Sequence, residues 1–293
     1  MKRVFSDRKT IIILLAPALL TYTLAMLVPM VWSLGYTFFD GSLIRGFTYT
    51  GLSNFTAVFH DRKAGQAILF TVKYAVTITV GQVLLGYLLA LLYVFYLKRA
   101  SSIIRTLTFF PVVLPTVAVS LLFSKLFEIA PTVGPVNSLL QALGIHAMNW
   151  FGSGSNAFIV IAAMDIWRSM GFYGVLLYAG LVDIPDDVIE SARLDGASGW
   201  RLARNIVLPL SWPVVVSAVI FSINGTLKVF DSIYALTGGG PGQQTTPLTL
   251  YMYQTSFAYG KYGYGSTIAL TLTIMCLLVT LVIFRSSRKD LTA

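Results

Sequence analysis

Long apolar runs separated by short polar stretches set the pattern of this chain. Six runs stand out, with soft boundaries: Ile11 to Phe39, Ala67 to Leu97, Arg105 to Phe127, Ala157 to Leu181, Ile206 to Val229 and Gly265 to Phe284. A bilayer core about 30 Å thick is crossed by about 20 apolar helical residues. Each run meets that length, exceeds a buried strand and lacks the strict alternation of a barrel. The pattern therefore predicts an all-α integral membrane protein with about six transmembrane helices. The first run follows Lys2, Arg3, Arg8 and Lys9, as a signal peptide would. It is too long for a signal-peptide core and reaches Pro29 and Trp32 without a small-residue cleavage pattern, so a retained helix is expected.

Composition sharpens this picture. Charged residues make up 11% of the chain and hydrophobic ones 56%, too few charges to cover a soluble particle without large apolar patches. The net charge of +9 does not indicate nucleic-acid binding, because the basic residues come in short clusters between spans rather than on one basic face. Placed with the N-terminus inside, thirteen Lys and Arg fall on inner segments and four on outer ones (Arg45, Arg62, Lys63 and Lys261). That bias predicts cytoplasmic termini and an even number of crossings. The expected layout is a cytoplasmic segment 1–10, a membrane domain 11–285 with a cytoplasmic loop at 183–209 and an outer loop at 230–264, and a cytoplasmic tail 286–293. Cys276 is alone, and His60 and His146 are far apart, so neither a disulfide framework nor a metal site is expected.

The cytoplasmic loop carries the most specific chemistry. Asp183 can cap a helix whose first turn holds Pro185, with Asp186, Asp187 and Glu190 near its positive end. Gly196 can supply the left-handed residue that ends it. Ser198 can cap a second, amphipathic helix carrying Trp200, Leu202, Ile206 and Leu208, which re-enters the membrane at Pro209. Within this stretch Glu190-Ser191-Ala192, three residues, Gly196, nine residues, then Ile206-x-Leu208-Pro209 resembles the E-A-A, G, I-x-L-P signature of ABC importer permeases. Asp195-Gly196-Ala197 is similar to its D-G-A form. Ser191 in place of the usual alanine is a small-for-small departure. The resemblance implies a type I importer permease bundle whose loop is a coupling helix seated on a separate ATPase, with Glu190, Ala192 and Gly196 at the contact. Spacing held over this many positions is harder to reach by chance than an ordinary capped hairpin.

A second resemblance covers the outer loop. Leu236-Thr237-Gly238-Gly239-Gly240-Pro241, then Thr245-Thr246-Pro247 and Tyr262-Gly263-Tyr264-Gly265-Ser266, is similar to the carbohydrate-uptake branch of these permeases. There the L-T-x-G-G-P loop projects toward a substrate-binding protein. By itself the glycine run is simply a turn, and without G-K-[ST] it is no nucleotide loop. Leu15-Ala16-Pro17-Ala18, Val28-Pro29 and Tyr36-Thr37-Phe38-Phe39 resemble the maltose and glycerol-phosphate permeases. The family implies these partners: a second permease subunit in a heterodimer, two ATPase subunits, an extracytoplasmic substrate-binding protein and the lipid of a bacterial inner membrane. It also implies that ATP is used by the partner, with no cofactor on this chain, which lacks a Walker lysine motif and is not expected to be an enzyme.

Charges inside spans are costly, so they mark either pairs or pathways. Asp165 and Arg168 share one helical face. They read as a self-compensating pair, as a contact to a partner subunit, or as a lining of the translocation pathway. Asn224 and Gly225 are further pathway candidates. Lys228 with Asp231, and also Lys73 and Lys125, lie near span ends where snorkelling is expected. Pro111, Pro115, Pro209 and Pro213 predict bends. An ion-driven secondary transporter using Asp165 and Arg168 is the rival reading. Such folds carry internal symmetry, and none is visible here; H-E-x-x-H and G-x-S-x-G enzyme motifs are missing too.

Overall fold

The computed structural model describes residues 8–42, 44–97 and 100–288. The predicted terminal segments fall partly outside that range, as do Lys2, Arg3, Lys98, Arg99 and Lys289 from the basic tally. Among the described residues five helices are long and apolar enough to cross a membrane, and a bent helix pair can supply a sixth crossing. Two compact units are distinguishable: residues 1–65 with 252–271, and residues 66–251 with 272–293.

The first unit opens with α1 (Arg8–Tyr22), a wide π turn (Thr23–Leu27) and α2 (Val28–Tyr36), which together form one continuous apolar rod from Ile11 to Tyr36. A two-stranded antiparallel hairpin follows, β1 (Phe39–Ser42) against β2 (Gly46–Tyr49), with Phe39 opposite Tyr49. The hairpin departs from the all-α expectation. Phe39 and Tyr49 pack edge to face across the strands, the kind of cross-strand aromatic pair that favours a ladder. The next element is α3 (Ser53–His60). Its buried Asn54 amide donates to the carbonyls of Thr37 (3.0 Å) and Phe39 (2.8 Å), tying helix to hairpin.

The second unit is built on α4 (Arg62–Leu91), which begins in the first unit. It continues with α5 (Ser101–Val113), α6 (Thr116–Leu126), α7 (Pro135–Ala142) and α8 (Gly154–Val182). The run expected to cross at Arg105 to Phe127 is sharply bent: α5 and α6 meet at 94°. Pro115 causes the break. It disfavours helical geometry at Leu114, whose ψ of 140° is extended, and it caps α6 instead of continuing α5. Pro111 stays inside α5. The stretch between α6 and α8 is ordered by Asn137. Its amide donates to the Glu128 and Met148 carbonyls, while its oxygen accepts from the Met148 N–H and the Trp150 indole.

After α8 come α9 (Asp186–Leu194), α10 (Gly199–Leu202), a π turn (Ala203–Val207) and α11 (Leu208–Thr226). The expected separate amphipathic helix and fifth span are thus one rod from Gly199 to Thr226. Pro209 is absorbed by the π turn. The N–H of Leu208 bonds the carbonyl of Ala203 five residues back, which widens the helix just before a residue with no N–H and a ring that crowds the preceding turn. The same device precedes Pro29, where Val28 bonds Thr23. The chain ends with α12 (Asp231–Leu236), α13 (Leu248–Tyr253) and α14 (Tyr262–Arg288).

Glycines on α8 set how tightly this unit packs. Without a driving hydrophobic force between helices in lipid, close approach through small residues supplies the contact. A Cβ at Gly171 would lie 1.8 Å from the Thr108 carbonyl oxygen of α5, and one at Gly180 would lie 2.6 Å from Val214 of α11. Because Thr108 presents backbone, it cannot move aside cheaply. Gly171→Val is expected to lower the melting temperature of the purified protein, by the equivalent of about 3 kcal/mol or more of overpacking. Gly65→Ala, where a Cβ meets nothing within 4 Å, is expected to leave it unchanged or raise it, as read by thermal unfolding in detergent.

Candidate functional site

Two features of the second unit gather the sequence candidates. The first is a polar cavity of about 270 Å³ among α4, α8 and α11, lined also by Thr116 of α6 and by residues 228–232. Asp165 and Arg168 both line it. Asp165 is 4% exposed, and its Oδ2 accepts the Tyr74 hydroxyl at 2.6 Å. The Ser232 side chain sits against both groups. Arg168 Nε stands 3.9 Å from Asp165 Oδ1, too far for a hydrogen bond. The pair is therefore an ion pair, but Asp165's strongest partner is on another helix.

Asn224 does not line this cavity. Its side chain donates to the Ile220 carbonyl (2.9 Å) and to Thr280 Oγ1 (3.1 Å), fastening α11 to α14. Its neighbour Gly225 does line the cavity. Lys228 and Asp231 line it as well, where snorkelling was expected. The other two span-end lysines also find protein partners: Lys73 Nζ lies 4.1 Å above the Phe158 ring and Lys125 pairs with Glu128 at 2.8 Å.

Polar cavity residues on α4 and α11 were missed in the sequence. Gln82 donates to Ser222, Ser222 donates to Thr79 (2.9 Å), and Thr79 bonds Thr226 (3.3 Å). Tyr87 bonds Ser211 (3.0 Å) further along. The signal was available: Thr71, Tyr74 and Gln82 recur at helical spacing on α4, and Ser211, Ser222 and Thr226 do so on α11, which puts a polar stripe down each otherwise apolar helix.

The second feature is the elbow after α8. Gly196 adopts φ +85°; its N–H bonds the Arg193 carbonyl and that of Ala197 bonds Ala192, a glycine-closed helix end of the expected kind. The expected caps differ. Asp183 ends α8 rather than starting α9, whose cap position is held by Pro185. Ser198 occupies the cap of α10 but its side chain makes no capping bond. The signature residues divide by face. Glu190, Ser191, Asp195, Gly196 and Pro209 are exposed, whereas Ala192 is buried and Ala197, Ile206 and Leu208 are half-buried. Ala192 therefore packs inward, with Ile189, Leu202 and Val207, onto a cluster containing Val83, Leu177, Leu181 and Val215. Its small side chain seats the elbow on the bundle and not on an outside surface. Leu194, which pattern reading passed over, is 89% exposed.

The glycine loop lies at the other end of α8. Gly154, the first residue of that helix, donates its N–H to Gln244 Oε1 (2.9 Å), and α8 spans about 43 Å at 1.5 Å per residue, more than a bilayer core. The loop is knotted upon itself. Thr245 Oγ1 donates to the Gly240 carbonyl (2.6 Å) and Thr246 Oγ1 to that of Gly239 (3.1 Å). Gly239 is buried, Gly240 and Pro241 are half-buried, and Gly238 is exposed. The exposed tip is Gly238 with Gly242, Gln243 and Gln244.

Comparison with known proteins bears on this arrangement. Residues 82–289 match the family described as "Binding-protein-dependent transport system inner membrane component". The sulfoquinovosyl glycerol transport system permease of Agrobacterium fabrum is 34% identical over 287 residues, 97% of this chain and 92% of that protein. The trehalose/maltose transport system permease of Thermococcus litoralis is 32% identical over 249 residues, 85% and 83% of the two chains. A chain from the crystal structure of a bacterial ABC transporter that imports the acidic polysaccharide alginate superposes with a TM-score of 0.84 at 21% identity, covering 98% of this chain and 99% of its own. At that identity the likeness concerns the fold, that of an ABC importer permease.

The buried Tyr74–Asp165 bond joins α4 to α8 at the cavity wall. Tyr74→Phe leaves the carboxylate short of a donor and is expected to destabilise the protein by about 1 kcal/mol, the range seen for hydrogen bonds between membrane helices. Adding Asp165→Asn is expected to recover part of the loss. Chemical or thermal unfolding of the single and double variants reads this coupling.

Proposed function

The chain belongs to the binding-protein-dependent transport system inner membrane component family, and from that premise we propose how it works as an importer permease for a sugar or sugar derivative. It is a multi-pass membrane protein and a subunit of an ABC importer. In the proposed assembly it sits in a bacterial inner membrane beside a second permease subunit. Two ATPase subunits bind at the Glu190–Gly196 elbow, which faces the cytoplasm along with both termini. A substrate-binding protein delivers to the opposite face, where the Gly238–Pro241 knot presents its exposed tip.

The observation that carries this reading is the two-faced elbow. Its outer side offers Glu190, Ser191, Gly196 and an exposed Leu194, while its inner side is packed through Ile189 and Ala192 onto α4, α8 and α11. Force applied to the outer side therefore reaches helices that wall the polar cavity, without a flexible joint between. ATP-driven closure of the motor subunits would move the elbow, shift α8 against α11 and change the side from which the cavity opens. This chain supplies the pathway and the lever, and hydrolysis belongs to its partner. The sugar assignment draws on the relatives named for sulfoquinovosyl glycerol and trehalose/maltose transport. Family membership also disposes of the ion-driven alternative.

Three substitutions test the lever. Glu190→Lys and Leu194→Arg change only the exposed side, and Gly196→Val forces a β-branched residue into a left-handed conformation it rarely adopts. Each is expected to cut uptake at least tenfold and to weaken co-purification of the ATPase, with membrane insertion retained in the first two. Undiminished uptake in both surface variants would show that the motor docks elsewhere.

A further inference from the structure

The charged groups of the cavity differ in what they have left to offer a ligand. Asp165 is almost wholly buried, one oxygen held by Tyr74 and the other turned toward Arg168. Its carboxylate is engaged by the protein. Arg168 is not matched in the same way: Nε is buried, has no hydrogen-bond partner and lies beyond hydrogen-bonding distance of Asp165. Lys228 is exposed, lines the same cavity and forms no ion pair of 4.0 Å or less among the described residues. Asp231 is exposed and lines the cavity too. The formal charges of these four cancel, so selectivity depends on which of them present free donors or acceptors. Two cations present free donors, and only Asp231 presents free acceptors.

Building on the sugar-importer reading above, we propose that the cavity holds a saccharide bearing an acidic group (carboxylate, sulfonate or phosphate), which Arg168 and Lys228 bracket. A planar guanidinium and a mobile ammonium together suit an oxyanion, since charge-assisted bonds are shorter and stronger than neutral ones. The Arg168 side chain lines the cavity and keeps 23% of its surface exposed. The cavity's hydroxyl-bearing wall, including Ser169 and Tyr173, together with Asp231, is left to meet the sugar's own hydroxyls.

The test uses the complete transporter in membrane vesicles, with its receptor and ATPase. Labelled saccharides are offered in matched pairs: glucose and glucuronate, glucosylglycerol and its 6-sulfonate, maltose and its phosphate ester. The acidic member of at least one pair is expected to enter about tenfold faster or more, the factor that one charge-assisted bond supplies. Arg168→Gln and Lys228→Gln are each expected to raise its half-saturation concentration by a similar factor, and Arg168→Lys to recover part of the loss. Should Arg168→Gln fail to assemble, the exposed Lys228→Gln still decides the matter. Entry of neutral members only, or acidic uptake indifferent to both substitutions, overturns the proposal and leaves the sugar-importer function standing. Uptake of no saccharide at all overturns both.

Discussion

Polar groups inside a bilayer cannot turn to water, so each must find its partner within the protein. That constraint organises the second unit. Tyr74 reaches Asp165, Gln82 and Thr79 reach Ser222, and Tyr87 reaches Ser211. All of these bonds start on α4 and end on α8 or α11, so the three helices that wall the cavity are also the three held together by polar contacts. Individually such bonds are modest, about 0.6 kcal/mol on average between membrane helices. Their placement matters more than their sum, because they fix which faces meet. Apolar packing against lipid-like surroundings would leave that choice open.

The same three helices receive the elbow. Ile189, Ala192, Leu202 and Val207 share one apolar cluster with Val83 of α4, Leu177 and Leu181 of α8 and Val215 of α11. α8 runs without interruption from the end of the elbow to the glycine knot, passing Asp165 and Arg168 on the way. α11 leaves the elbow as part of one rod from Gly199 to Thr226, because the π turn before Pro209 keeps it continuous where a plain proline would bend it. The packing of the elbow and the wall of the cavity thus meet on the same two helices.

Much of this was legible in the sequence because it rests on local rules. Span length needs only hydrophobicity over about 20 residues, and five of the six runs appear as continuous helices of at least that length. The bend at Gly196 needs only a residue free to take a positive φ. What was not legible is pairwise. The three-residue spacing puts Asp165 and Arg168 on one face, but nothing local announces that Tyr74, far away in sequence, takes the carboxylate first. Asn224 was read as a pathway residue because it is polar; its partner Thr280 lies on the last helix, and only the packing reveals it. The hairpin at Phe39–Tyr49 was hidden inside what reads as a loop, since four-residue strands carry little periodicity.

The division of the signature motif shows why matching a pattern and knowing a surface are different things. Reading Ala192 as a contact residue assumed that a small side chain is there to admit a partner. In the folded elbow the Ala192 N-terminal neighbours Glu190 and Ser191 are exposed, while Ala192 is turned inward beside Ile189, as successive helical positions must diverge by about a third of a turn or less. A bulky residue at that position would lift α9 off the bundle. A residue that keeps a lever rigid and one that docks a motor would both sit in the same few positions of a sequence signature. Only the face on which each lies separates them: Ala192 is buried against the bundle and Ile206 and Leu208 are half-buried, while Glu190, Ser191 and Gly196 are exposed.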